Sequence, residues 1–133
     1  MKRVLLIENN PKDIQQATAI LQKLGFHDVH AITGVPLAVE YLRDITEGRK
    51  VPPDVVVLDL DFGKDSGFEV LRFWKSAPEL QGVRMIVWTI MGELEKQMAE
   101  LFGVAGVISK HEGPRELHRV LQQTTQSGSS VLA

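Results

Sequence analysis

Four polar residues stand at the ends of short runs that read as strands: Glu8 after Val4 to Ile7, Asp59 after Val55 to Leu58, Thr89 after Met85 to Trp88, and Lys110 after Gly106 to Ser109. A carboxylate at the end of a buried strand, flanked by other oxygen donors, suits a magnesium ion, which prefers a near-octahedral oxygen shell and keeps several waters. Glu8-Asn9-Asn10 and the Asp59/Asp61 pair supply such oxygens. A phosphoryl group at the same place needs its charge offset, and Thr89 offers a hydrogen bond while Lys110 offers a cation. The chemistry these types could do together is phosphoryl binding on a carboxylate, assisted by a hard cation.

Such residues meet only if the elements bearing them are aligned. The runs at 4–7, 55–58 and 85–88 are apolar on consecutive positions, as expected of parallel strands covered on both faces. Asn10-Pro11 predicts a helix start, since Asn caps free amides and proline suits the first helical position. Ile14, Ala17, Leu21 and Leu24 continue at helical spacing to a stop at Gly25. A weaker strand is expected at 29–32, then a helix over 36–45 with Leu37, Ala38, Tyr41, Leu42 and Ile45 on one face, ended by Gly48 and Pro52-Pro53. Further helices are expected at 68–76, at 93–102 with a core stripe of Leu94, Met98, Leu101 and Phe102, and at 114–123 with Leu117, Val120 and Leu121 inward. Five strands alternating with five helices give an α/β fold, a doubly wound five-stranded parallel sheet, with its site beyond the carboxyl ends of the strands. Residues 1–123 form the domain in this reading, and 124–133 a polar C-terminal tail.

Ile7-Glu8-Asn9-Asn10-Pro11, Val57-Leu58-Asp59-Leu60, Gly67-Phe68-Glu69-Val70-Leu71, Trp88-Thr89 and Ile108-Ser109-Lys110 stand in the order and approximate spacing of response-regulator receiver domains, which the chain resembles over nearly its whole length. The resemblance implies the flavodoxin-like, CheY-like receiver fold, with Asp59 as phosphoacceptor and Glu8 and Asn9 at the acidic-pair positions. It also implies Thr89 as the switch hydroxyl, Lys110 as the phosphate-contacting lysine, and the backbone carbonyl of Asp61 completing a Mg2+ shell. Each element alone is commonplace; the ordered set is specific.

Several residues depart from that family's pattern. Asn9 replaces an aspartate, so one negative charge is missing and magnesium is expected to bind more weakly; the Asp61 side chain could restore part of it. Ile90 stands where a very small residue is usual and is expected to narrow access. Val107 replaces an aromatic rotamer switch. His111 replaces the proline after Lys110, which removes an expected cis peptide. His27, His30, His111 and His118 are scattered without metal-ligand spacing, and Trp74 and Trp88 read as packing residues.

With 133 residues and 44% hydrophobic content the chain can build one core. Net charge is -2, from Lys+Arg 15 against Asp+Glu 17, which disfavours nucleic acid and anionic membrane as partners. There is no cysteine, hence no disulfide or thiolate metal site, and the apolar start is too short for a signal core or a span. The chain thus reads as cytoplasmic, non-enzymatic, monomeric or homodimeric, and as a single-domain response regulator. A sensor histidine kinase or phosphotransfer protein would donate the phosphoryl group, and the signal would leave by contact with a downstream protein target. The alternative is a degenerate receiver that works as a phosphorylation-independent interaction module. An Asp-x-Asp phosphohydrolase of the haloacid-dehalogenase kind is disfavoured, since its motif belongs on the first strand and needs a late acidic pair. A nicotinamide enzyme is disfavoured because no Gly-rich turn follows the first strand.

Overall fold

The computed structural model describes residues 3–132, with the side chains of the last helix described as far as Thr124. Its elements in chain order are β1 (Arg3–Ile7), α1 (Pro11–Lys23), β2 (Asp28–Ile32), α2 (Val35–Thr46), β3 (Val55–Leu58), the short strands β4 (Asp61–Phe62) and β5 (Asp65–Ser66), α3 (Phe68–Ser76), β6 (Arg84–Thr89), α4 (Glu93–Glu100), β7 (Gly106–Ser109) and α5 (Pro114–Leu132). Single 3-10 turns stand at Pro78–Leu80 and Lys110–Glu112.

The main sheet has five parallel strands in the order β2-β1-β3-β6-β7, which is the doubly wound topology expected. Alternation along the strands splits the core in two. Leu5, Ile7, Val56, Leu58, Met85 and Val87 pack toward α2 and α3, while Val4, Leu6, Val55, Val57, Ile86, Trp88 and Ile108 pack toward α1 and α5. Local signals act as their chemistry requires. Asn10 caps α1 by accepting from the Lys12 and Asp13 amides at 3.0 and 3.2 Å, and Gly25 follows the helix at φ 91°.

The structure adds one feature and corrects three expectations. After Asp59, β4 and β5 pair as an antiparallel hairpin around Gly63, whose φ of 69° favours glycine. In α2, Leu37 points outward, and Val35, Ala38, Leu42 and Ile45 make the buried face. In α4 the expected stripe of Leu94, Met98 and Leu101 is exposed, with Leu94 at 70% and Leu101 at 85%; the helix docks through Ala99, with Phe102 packed beside it. A small alanine lets the helix approach the sheet edge closely, and large residues one step away in phase are left in water. Helical backbone in α5 runs to Leu132 instead of ending at Gln123. Thr124, assigned to the tail, is buried, donates to the Val120 carbonyl at 2.8 Å, and accepts from Arg84 through its own carbonyl. The side chains of the rest of the tail lie outside the described residues.

Candidate functional site

Strand register assembles the site. Ile7 is level with Leu58 across β1 and β3, so the next residues, Glu8 and Asp59, emerge side by side. Leu58 is level with Val87, and Thr89 with Ser109, which brings Thr89 and Lys110 to the same rim. Glu8 and Asp59 are nearly inaccessible, at 1% and 5%, and Thr89 is fully buried. The structure therefore gathers Glu8, Asp59, Thr89 and Lys110 in one basin.

Each oxygen of the two carboxylates has partners. Glu8 Oε1 accepts from the Asn9 and Asn10 amides, both at 3.1 Å, and Glu8 Oε2 accepts from Lys110 Nζ at 2.7 Å. Asp59 Oδ1 accepts from the Thr89 hydroxyl and from the Asp61 amide at 3.1 Å, while the Leu60 amide donates to Thr89 Oγ1 at 3.3 Å. Asp59 Oδ2 accepts from Lys110 Nζ at 3.3 Å, so it is the less engaged oxygen. Burial is the main force on Glu8, and with the charge of Asp59 it pushes the carboxyl up to about 7 against the pull of Lys110 and the Asn10 amide. Burial opposes the charge on Lys110, yet hydrogen bonds to Asp13 and Glu8 and the field of Asp59 hold its ammonium above the ordinary lysine range.

Asp13 was not foreseen in the sequence. Its Oδ2 accepts from Lys110 Nζ at 2.6 Å, across 97 residues of chain. Its position repeats the buried pair Ala17 and Leu21 one turn earlier, so the inward face of α1 continues into the basin. That extrapolated stripe was the available signal. It was masked because an acidic residue in a first helical turn is ordinary by itself.

The atypical residues fall around this centre. Asn9 is exposed at the rim. The carboxylate of Asp61 is exposed, and its Oδ1 accepts from the Gly63 amide at 3.1 Å, which engages it in the hairpin turn. Ile90 is exposed beside Leu60, Asp61 and Glu95. Val107 is half-buried against the core, and His111 is exposed, its amide donating to Ser109 Oγ at 3.2 Å. No cis peptide occurs among the described residues. Trp88 is buried with Lys110 Nζ 5.0 Å from its ring centroid, and among the described residues its indole N–H has no partner. Trp74 Nε1 donates to the Leu80 and Val83 carbonyls at 3.0 and 3.1 Å.

The donors that the structure brings together, the buried carboxylates of Glu8 and Asp59, are oxygens of the kind a hard cation takes. The basin already accepts a cation, the Lys110 ammonium, between Glu8 and Asp59. Among the described residues no group of three or more His, Cys, Asp or Glu is placed to hold a metal ion. Nor is any helix among them long and apolar enough to cross a membrane.

The family model for the response regulator receiver domain matches residues 4–122. Chemotaxis protein CheV1 of Helicobacter pylori is 28% identical over 121 residues, which are 90% of this chain and 37% of that protein, so the chain spans well under two thirds of this relative. The Mn(2+)-bound form of response regulator Rcp1 superposes with a TM-score of 0.78 at 23% identity, covering 92% of this chain and 91% of that one. The phosphorylated cyanobacterial phytochrome response regulator RcpA does so with a TM-score of 0.76 at 26% identity, covering 92% and 89%.

Proposed function

This chain belongs to the response regulator receiver domain family, and from that premise we propose that Asp59 accepts a phosphoryl group and that the modified protein signals by protein contact. The single observation that carries the reading is the convergence of Glu8, Asp59, Thr89 and Lys110 on one buried basin with Asp59 Oδ2 facing the ammonium. The donor is a phosphohistidine of a sensor histidine kinase or a phosphotransfer protein in the cytoplasm.

In the step itself Asp59 Oδ2 attacks phosphorus, a P–O bond forms, and the P–N bond to the donor imidazole breaks. The electron pair leaves on the imidazole nitrogen, which then takes a proton from water. Asp59 Oδ1 is held by Thr89 and the Asp61 amide before the attack, which fixes the carboxylate plane. Glu8, Asn9, Asp59 and the Asp61 carbonyl would hold Mg2+, and the ion when bound would offset charge on the transferring group; Rcp1 is a similar structure described with Mn(2+) bound. Lys110 stands ready to pair with a phosphoryl oxygen. Thr89 can turn its hydroxyl proton from Asp59 to the phosphoryl group, and its chain neighbours Ile90, Met91 and Gly92 lead straight into α4. A change at Thr89 is thereby passed to the exposed apolar face of Leu94, Met98 and Leu101, the surface on which a downstream protein would act.

A second reading keeps the surface and drops the chemistry. Asn9 in place of a charged ligand, with Ile90 at the rim, favours an interaction module that works without phosphorylation. Incubation with acetyl phosphate and magnesium followed by intact mass measurement separates the two. The expected result is one phosphate adduct that Asp59→Asn abolishes; an unmodified wild-type protein would favour the module.

A further inference from the structure

We infer that Asp13 is a positioning residue for Lys110, giving the buried ammonium a partner outside the metal-binding set so that a divalent cation can claim Glu8 and Asp59 without leaving the lysine unpaired. The inference rests on the reading of Glu8 and Asp59 as the cation's carboxylates.

Lys110 Nζ lies 2.7 Å from Glu8 Oε2 and 3.3 Å from Asp59 Oδ2, so the ammonium and an arriving dication compete for the same two groups. Only about a tenth of the lysine side chain is exposed, at 10%, so an ammonium stripped of both carboxylates would face a desolvation penalty with little water to offset it. The Trp88 face at 5.0 Å attracts a cation, but more weakly than a carboxylate does. Asp13 is the third and shortest contact, at 2.6 Å, and it comes from α1 instead of the strand ends. Its carboxylate can stay on the lysine while the other two turn to the metal. Nearby residues do not duplicate this role, since Asn9 carries no charge and Asp61 is engaged with the Gly63 amide.

The test is a double-mutant cycle on magnesium affinity, read by tryptophan fluorescence in the full chain. Wild type, Asp13→Asn, Lys110→Met and the double variant are titrated with magnesium chloride, with thermal unfolding confirming that each is folded. Lys110→Gln serves as the second neutral variant should Lys110→Met not fold. Asp13→Asn is expected to weaken magnesium binding about tenfold, because a charge-assisted partner of the displaced lysine is lost. With Lys110 already neutral the same change is expected to alter affinity less than about twofold, the residual being a screened charge effect. Equal losses in both backgrounds would make Asp13 a ligand or plain charge and overturn the inference, as would no loss in either. A wild type that never saturates with magnesium would sink the cation-site reading and this inference together. A wild type that saturates, with Asp13→Asn unaffected, would sink this one alone.

Discussion

At the scale of single residues, the basin is a set of groups whose charges are adjusted by burial and by each other. Glu8 has its carboxyl pushed up to about 7 by burial and by Asp59, from 4.5 in an unfolded chain. The folded state therefore binds an extra proton between those two values, and this group's contribution to stability falls as pH rises through that window. A metal needs the ionised form, so magnesium affinity moves the opposite way. It is expected to rise about tenfold from pH 6 to pH 8, as the ionised fraction of a group titrating near 7 does, and Glu8→Gln is expected to flatten the profile. Fluorescence titrations across that range check both. Glu8, Asp59, Thr89 and Lys110 were legible in the sequence because each stands at the end of a run that reads as a strand, and register does the rest. Asp13 was not, because its partner is 97 residues away and nothing local distinguishes a ligand of Lys110 from an acidic residue at a helix start. The Asp61 carboxylate, read as able to restore part of the charge missing at Asn9, accepts from the Gly63 amide in a hairpin turn that no alternating pattern announced.

At the scale of elements, the site depends on close backbone approach under Asp59. A Cβ on Gly67 would stand 2.5 Å from the Asp59 carbonyl oxygen and 2.6 Å from Leu60 Cα, both backbone atoms that cannot swing aside. Gly67→Ala is expected to cost about 2 to 3 kcal/mol. A Cβ on Gly106 would meet Val120 Cγ1 at 2.6 Å, a side-chain tip that can rotate, so Gly106→Ala is expected to cost about 1 kcal/mol. Urea unfolding orders the two, and the reverse order would mean that the backbone around Asp59 yields more easily than α5. Strands β1, β3 and β6 were readable because buried parallel strands are continuous apolar runs. The inward face of α4 was not, because the residue that docks, Ala99, is small and its exposed neighbours are large. Leu101→Glu is accordingly expected to change stability by less than about 0.5 kcal/mol. Leu42→Ala, in the buried face of α2, is expected to cost about 2 to 5 kcal/mol. Had the stripe read from the sequence been the docked face, both substitutions would be severe.

At the scale of the whole molecule, buried charge is concentrated in the basin at the carboxyl ends of the strands. Exposed large apolar residues stand singly at Leu37 and Val51, and as a group at Ile90, Leu94, Met98 and Leu101, which follow the basin in the chain. Thr89 is the covalent link between the basin and that group, the last residue of β6 and one step before Ile90. The fold class was legible because alternation of strand and helix admits few topologies, and the basin follows from that topology. The exposed apolar face was not, since outward-facing leucines carry the same period as inward-facing ones. The central claim is that one basin accepts the phosphoryl group, and the most direct test is amide chemical-shift mapping with magnesium and beryllofluoride, a phosphoryl mimic. The account predicts saturable shifts largest at Asp59, Leu60, Thr89, Ile90 and Lys110, spreading into α4 and absent in Asp59→Asn. Shifts that bypass those residues, or that persist in Asp59→Asn, would contradict it.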